Sequence, residues 1–255
     1  MDPGVREPGG IRSAPSSNNN PFDGRALLKT RLKSVNEKQK RTVIGIETGN
    51  SPGKLGAAVV EVSGMGDDTI LYLRGFIDYD LPHELVEALD ALAAGGDFDS
   101  EETAGINFLV LHHISNLFQD LLDETELSID EVDLIGLKCL EAGKEIFPSD
   151  PAVLSEMTGL IVASRFSIGA EGNGGEMLPL REFLLQGMLG DMVEKYSLDN
   201  DIREAVAVAL LANESLFHEH CETCESDGKR PTVKSAQSKG ASEEACLCAE
   251  FFFPR

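Results

Sequence analysis

The chain has 255 residues, 42% of them hydrophobic, with 44 acidic side chains against 22 basic ones and a net charge of −22. That length supports one large domain or two small ones with an ample core, and an acidic body repels phosphate, which argues against nucleic acid as a partner. Nothing approaches the roughly 18 unbroken apolar residues of a membrane span, and the opening MDPGVREPGGIRSAPSS has no apolar stretch of a secretory signal. The expectation is a cytoplasmic protein with reduced thiols at Cys139, Cys221, Cys224, Cys246 and Cys248.

Residues 1–40 are rich in Pro, Gly, Ser and Asn and are expected to be disordered, the basic run Arg25–Arg41 forming a solvated linker or a short surface helix. Order is expected from Val43. RTVIGIETGN reads as a buried strand ending in a glycine turn, LGAAVVEVS as a second strand, and TILYLRGFIDY as a third. Gly64 and Asp67-Asp68 mark the turn between the second and third, so the three form an antiparallel meander. Pro82 then opens a helix with Leu85, Val86, Leu89 and Leu92 on one face, stopped by Gly95-Gly96. A longer helix follows from about Thr103, its 3.6-residue period carried from Ile106 to Leu121. VDLIGLKCL is suited to a buried parallel strand, a helix covers Pro151–Met157, and GLIVASRF is another such strand.

After Gly174-Gly175 come two amphipathic helices, Leu180–Tyr196 and Asp201–Phe217. The periodicity then collapses, and residues 219–255 are expected to be a disordered tail containing cysteines. The order βββ–α–α–β–α–β predicts an α/β fold with a mixed five-stranded sheet flanked by helices. That order is within the variation of the βββαβαβ unit repeated in actin-like, Hsp70-like and sugar-kinase ATPases. A ribonuclease H-like domain with no ATPase role gives the same string.

The motifs that carry chemistry are few. The turn Gly49-Asn50-Ser51-Pro52-Gly53-Lys54 has the glycines and lysine of a phosphate loop. Its spacing is one residue short, however, and Leu55 stands where a metal-ligating hydroxyl belongs. It is either a phosphate-holding hairpin, through Gly49, Asn50 and Ser51, or a plain turn. His218-Glu219-His220-Cys221-Glu222-Thr223-Cys224 has zinc-ligand spacing at Cys221 and Cys224, with Cys246 and Cys248 downstream, but almost no apolar residues to fold around a metal; no metal is expected. Adjacent His112 and His113 point about 100° apart on a helix and do not make a two-histidine metal face.

IGIETGNSPGKLGAAVVEV resembles the opening of the anhydro-N-acetylmuramic acid kinase family, approximately IGxMSGTSxDGxDxxL. TGLIVASRFSIGAEGNGGEMLPL lies without a gap on that family's TGxxVVxDFRxxDxAxGGQGAPL, with Thr158, Gly159, Phe166, Gly174, Gly175, Pro179 and Leu180 coinciding. LIGLKCLEAG occupies the place of IGxHGQTVxH, Asp150 falls on the Asp of the family's GD turn, and DIREAVAVALLA is similar to the closing helix DxxEAxAFAxLA. The resemblance covers residues 42–180 and 200–216. It implies a ribonuclease H-like, actin-like ATPase lobe over residues 41–180, followed by C-terminal helices over 181–218. The second lobe is largely missing, since about twenty residues separate Leu180 from the closing helix where nearly two hundred are expected.

The resemblance also implies what has been lost. The family activity is ATP-dependent phosphorylation and ring opening of 1,6-anhydro-N-acetylmuramate, with an Asp as general base; that position is Ala170. The first Asp of the same motif is Arg165, and its Arg is Ser167. The hairpin Asp that helps organise Mg²⁺ is Gly53, and the His-Gly-Gln that contacts substrate is Lys138-Cys139-Leu140. No catalytic residue is therefore assigned. What the resemblance leaves is Gly49, Asn50 and Ser51 toward phosphate and Asp150, Gly174 and Gly175 toward substrate. Three readings stand open: an inactive homologue acting through protein interaction, as a homodimer or with an intact kinase paralogue; a redirected sugar kinase, using ATP and Mg²⁺ with Glu171 or Glu176 as base; and a shortened gene product without a function of its own.

Overall fold

The computed structural model describes residues 24–48, 53–64, 69–138, 149–170, 200–217, 233–234 and 245–254. In chain order these form α1 (Gly24–Asn36), β1 (Lys40–Glu47), β2 (Lys54–Ser63), β3 (Ile70–Asp80), α2 (His83–Ala93), α3 (Ser100–Glu124), a short 3₁₀ turn (Ile129–Glu131), β4 (Leu134–Lys138), α4 (Pro151–Thr158), β5 (Val162–Ala170), α5 (Asn200–Phe217), β6 (Val233–Lys234) and β7 (Ala245–Phe252). The strands make one mixed sheet in the order β3-β2-β1-β4-β5-β7-β6. The first three strands form the expected antiparallel meander, while β4 runs parallel to β1 and β5 parallel to β4.

Side chains alternate across the pleat and so sort into two cores. Val43, Ala58, Val60 and Leu134 face one side, where α5 and the Leu32 and Val35 side chains of α1 cover them. Ile44, Ile46, Val59, Ile135 and Leu137 face the other, under α2, α3 and Leu154 of α4. Burial on both faces is why β1 and β4 read as continuous apolar runs rather than as alternating ones. The helices on the second side are set by local chemistry. Asp99 and Glu102 form a capping box at the start of α3, and Asp150 caps α4 with Pro151 at its first position. Gly159 ends α4 in the left-handed conformation (φ 73°).

The seat of α5 depends on two glycines. Gly45 and Gly136 face each other in the β1–β4 register. A Cβ on Gly45 would stand 1.9 Å from the Ala205 carbonyl oxygen, and one on Gly136 2.6 Å from that of Val208. The helix therefore lies directly on bare backbone, and Ala205 through Leu216 are all buried, the polar Asn213, Glu214 and Ser215 among them.

Arg41 anchors the far end of α5. Its side chain is only 2% exposed. Nε donates to Asn213 Oδ1 (2.7 Å), Nη1 to the Lys38 carbonyl (2.6 Å) and Nη2 to the Gly64 carbonyl (2.8 Å). Burial lowers its pKa, while the Glu214 and Asp133 carboxylates oppose that shift.

Three expectations are corrected. Part of the segment expected to be disordered, residues 24–36, is helical, because Leu32 and Val35 lie three residues apart and pack on the α5 side of the core. The tail is not structureless. Residues 245–252 pair antiparallel with the outer edge of β5, Phe251 and Phe253 packing on one core and Phe252 on the other. The sheet consequently has seven strands rather than five. Of the two C-terminal helices, the second is α5; Leu180–Tyr196 lies outside the described residues. Among the described residues, no helix is long and apolar enough to cross a membrane.

Candidate functional site

From β1 the chain builds outward through β2 and β3 on one side, then returns to lay β4 and β5 on the other. The adjacent parallel ends of β1 and β4 are thus a topological switch point. In open α/β sheets, ligand crevices lie outside the carboxyl ends of strands at such a point. Glu47, Thr48 and Lys138 are the last described residues there, and the Thr48 hydroxyl joins the two strands by donating to the Lys138 carbonyl (3.0 Å).

Lys138 and Glu47 are in register on neighbouring strands and share the α5 face. The buried Glu47 leans the other way, over β2. Its Cγ and Oε1 each stand 3.4 Å from where a Cβ on Gly56 would be. The Lys138 ammonium instead meets Glu204 of α5, Nζ to Oε2, at 3.1 Å. Both side chains are about a quarter exposed (29% and 23%). The second lysine near the turn, Lys54, is directed to Asp78 on β3 (3.5 Å).

The foot of the β1–β2 turn is tightly held. The Gly53 carbonyl accepts from the Leu81 amide (2.6 Å), and its φ is +119°, a conformation that side-chain-bearing residues rarely adopt. A Cβ there would stand 3.2 Å from Val86 Cγ2.

No family model matches the chain. Two curated relatives do. An anhydro-N-acetylmuramic acid kinase of Caldanaerobacter subterraneus subsp. tengcongensis is 26% identical over 176 residues, covering 61% of this chain and 43% of the relative. One from Picosynechococcus sp. is 26% identical over 153 residues, covering 54% and 38%. The chain is a relative of the anhydro-N-acetylmuramic acid kinases. It spans about two-fifths of the length of the curated relatives it matches.

The positions singled out by the resemblance to anhydro-N-acetylmuramic acid kinase can now be placed. Gly53 is the turn foot just described. Lys138 lies at the crevice, held by Glu204. Asp150 is the N-cap of α4: its Oδ1 accepts from the Ala152 amide (2.9 Å), while its own amide donates to Asn107 Oδ1 (3.1 Å). That carboxylate therefore has a structural task. Ala170 closes β5, opposite Ala245 of β7. Parallel pairing of β5 with β4 ends at Ser164, whose buried hydroxyl donates to the Leu137 carbonyl (2.7 Å). Six further residues at ~3.3 Å each put Ala170 about 20 Å along the strand from that point.

Gly49, Asn50, Ser51, Cys139, Glu171, Gly174, Gly175, Glu176, Cys221 and Cys224 lie outside the described residues. Among the described residues, no group of three or more His, Cys, Asp or Glu side chains is placed to hold a metal ion. His112 and His113 have ring centroids 6.1 Å apart at 63°, and burial, then the neighbouring His112, lowers the His113 pKa. The residue that sequence reading missed is Glu204. Its signal was there: it is the Glu of DIREA, aligned with DxxEA of the closing helix, but its contact with Lys138 is tertiary.

Proposed function

We propose that this chain is an anhydro-N-acetylmuramic acid kinase lobe that does not transfer phosphate and acts through protein interaction, with a second copy or an intact kinase paralogue. The fold we assign is the ribonuclease H-like one, supported by the strand order 3-2-1-4-5 with β2 alone antiparallel among the inner strands. Gly53 carries the functional reading. At the position where the kinase pattern has its metal-organising Asp, the backbone holds φ +119° with a carbonyl tied to Leu81. That conformation favours glycine over aspartate, which supports reading the absence of the acid as part of how this strand end is built.

Mg²⁺ does not fit the described residues at the positions where the kinase pattern would hold it. The crevice presents an ammonium, Lys138, and no carboxylate at position 53, while Ala170 has no lone pair with which to accept a proton. Losing a general base alone costs around 10²- to 10⁴-fold in rate. Interaction is supported by apolar side chains left outside the core: Phe108 and Leu109 on α3, and Val153 and Met157 on α4.

The test is turnover of 1,6-anhydro-N-acetylmuramate with ATP and Mg²⁺, alongside an intact family kinase, with affinity purification of the tagged chain from its native source. The expected result is no turnover above background and recovery of a kinase-like partner or of a second copy. Turnover near that of the intact kinase overturns the reading.

A further inference from the structure

The Lys138–Glu204 pair lies where the topology puts a ligand crevice, and one of its members comes from the opposing helix. Glu204 is one residue before Ala205, whose carbonyl rests on Gly45, so the glycine seat fixes how far α5 overhangs the strand ends. The carboxylate is then delivered to the ammonium at 3.1 Å, partly out of water. An ammonium at the carboxyl end of β4 can attract an anion in a crevice at such an edge. Glu204 already sits on it. Glu47, a second carboxylate on this face among the described residues, stands over Gly56.

We propose that Glu204 is a built-in anionic occupant of the switch-point crevice, taking the place on Lys138 that the phosphate group of a ligand would take. Phosphate binding at this edge is thereby opposed by an internal competitor tethered at high effective concentration. This rests on the reading of the strand ends as the lobe's ligand edge, but not on whether the chain transfers phosphate.

The experiment is calorimetric titration of the full chain with inorganic phosphate at fixed ionic strength. It compares the wild type, Glu204→Gln, and the double variant Glu204→Gln with Lys138→Met. Glutamine keeps the length and the acceptor oxygen while removing the competing charge. Circular dichroism melts confirm that each variant is folded. Glu204→Gln is expected to bind phosphate about tenfold more tightly than the wild type, and the double variant to lose that gain. Equal binding by the wild type and Glu204→Gln, absence of binding in both, or a gain that persists without Lys138 would each overturn the proposal. The turnover assay above can fail or succeed independently of this result.

Discussion

Replacing Arg41 with Met tests how α5 is held to the first strand. Methionine keeps the apolar stem packed but removes the guanidinium, leaving the Asn213 side chain and the Lys38 and Gly64 carbonyls without their donor. The buried Glu214 carboxylate loses its nearby positive charge while still accepting from Thr69 Oγ1 (3.2 Å). Hydrogen bonds to a charged group contribute about 1.5–3 kcal/mol each, and breaking a buried charge network by removing one member costs about 3–5 kcal/mol. We take about 3–5 kcal/mol as the expected loss, a large share of the 5–15 kcal/mol typical of a domain. The chain has no Trp, so urea unfolding is best followed by far-ultraviolet circular dichroism. A companion variant, Arg41→Met with Glu214→Gln, should recover part of the loss by neutralising the stranded carboxylate. A loss below about 1 kcal/mol for Arg41→Met, with no recovery in the double variant, would refute the account of Arg41 as the anchor of α5.

Gly45→Ala should displace α5, because the new methyl lands on the Ala205 carbonyl; we expect about 1–3 kcal/mol of destabilisation by the same unfolding assay. Gly105→Ala is its converse: a Cβ there meets no atom within 4 Å inside a long helix, so stability should rise by about 1 kcal/mol. Gly53→Asp, which restores the kinase-like acid, should lower the melting temperature and give no turnover, since φ +119° disfavours the side chain before any metal is bound. The lowered His113 pKa means that the unfolded chain takes up its proton first. Stability should therefore hold above the ordinary histidine value of about 6.5 and fall as pH drops through the lower, folded-state value. His113→Gln should flatten that part of the profile in melts between about pH 8 and 5.

The meander, α2 and α4 were legible because each carries a local signature: alternation through TILYLRGFIDY, Pro82 and Gly95-Gly96 around α2, and Pro151 with Gly159 around α4. The start of α3 was legible in principle, since Asp99-x-x-Glu102 is a capping-box pattern, yet apolar periodicity alone starts the helix three residues late. The strand β7 does not announce itself, and α1 is legible only as one of two forms open to a basic run. Within α1, the buried pair Leu32 and Val35 is scattered among solvated basic side chains. The β7 run ACLCAEFF is a strand only because its partner, β5, waits some eighty residues earlier. The site divides in the same way. Lys138 stood out as a departure from a motif, while Glu204 became visible only when α5 came down on Gly45 and Gly136. Sequence period reports which face of an element is apolar; it is silent about which element covers that face.

The glycine seat also bears on how the molecule is made. Gly45 belongs to the first strand, whereas the helix that rests on it begins its contact at Ala205, about 160 residues later. At ~5–20 residues per second of synthesis, the ribosome needs roughly 10–30 s to supply the cover for a strand it made early. During that interval the Val43–Leu134 face of the sheet has no α5 to lie against. Closure then requires joining distant parts of the chain, which is slow compared with local helix formation. The nascent chain thus carries an uncovered apolar surface until its own late helix arrives. That surface is where a chaperone or a folded partner would first find it.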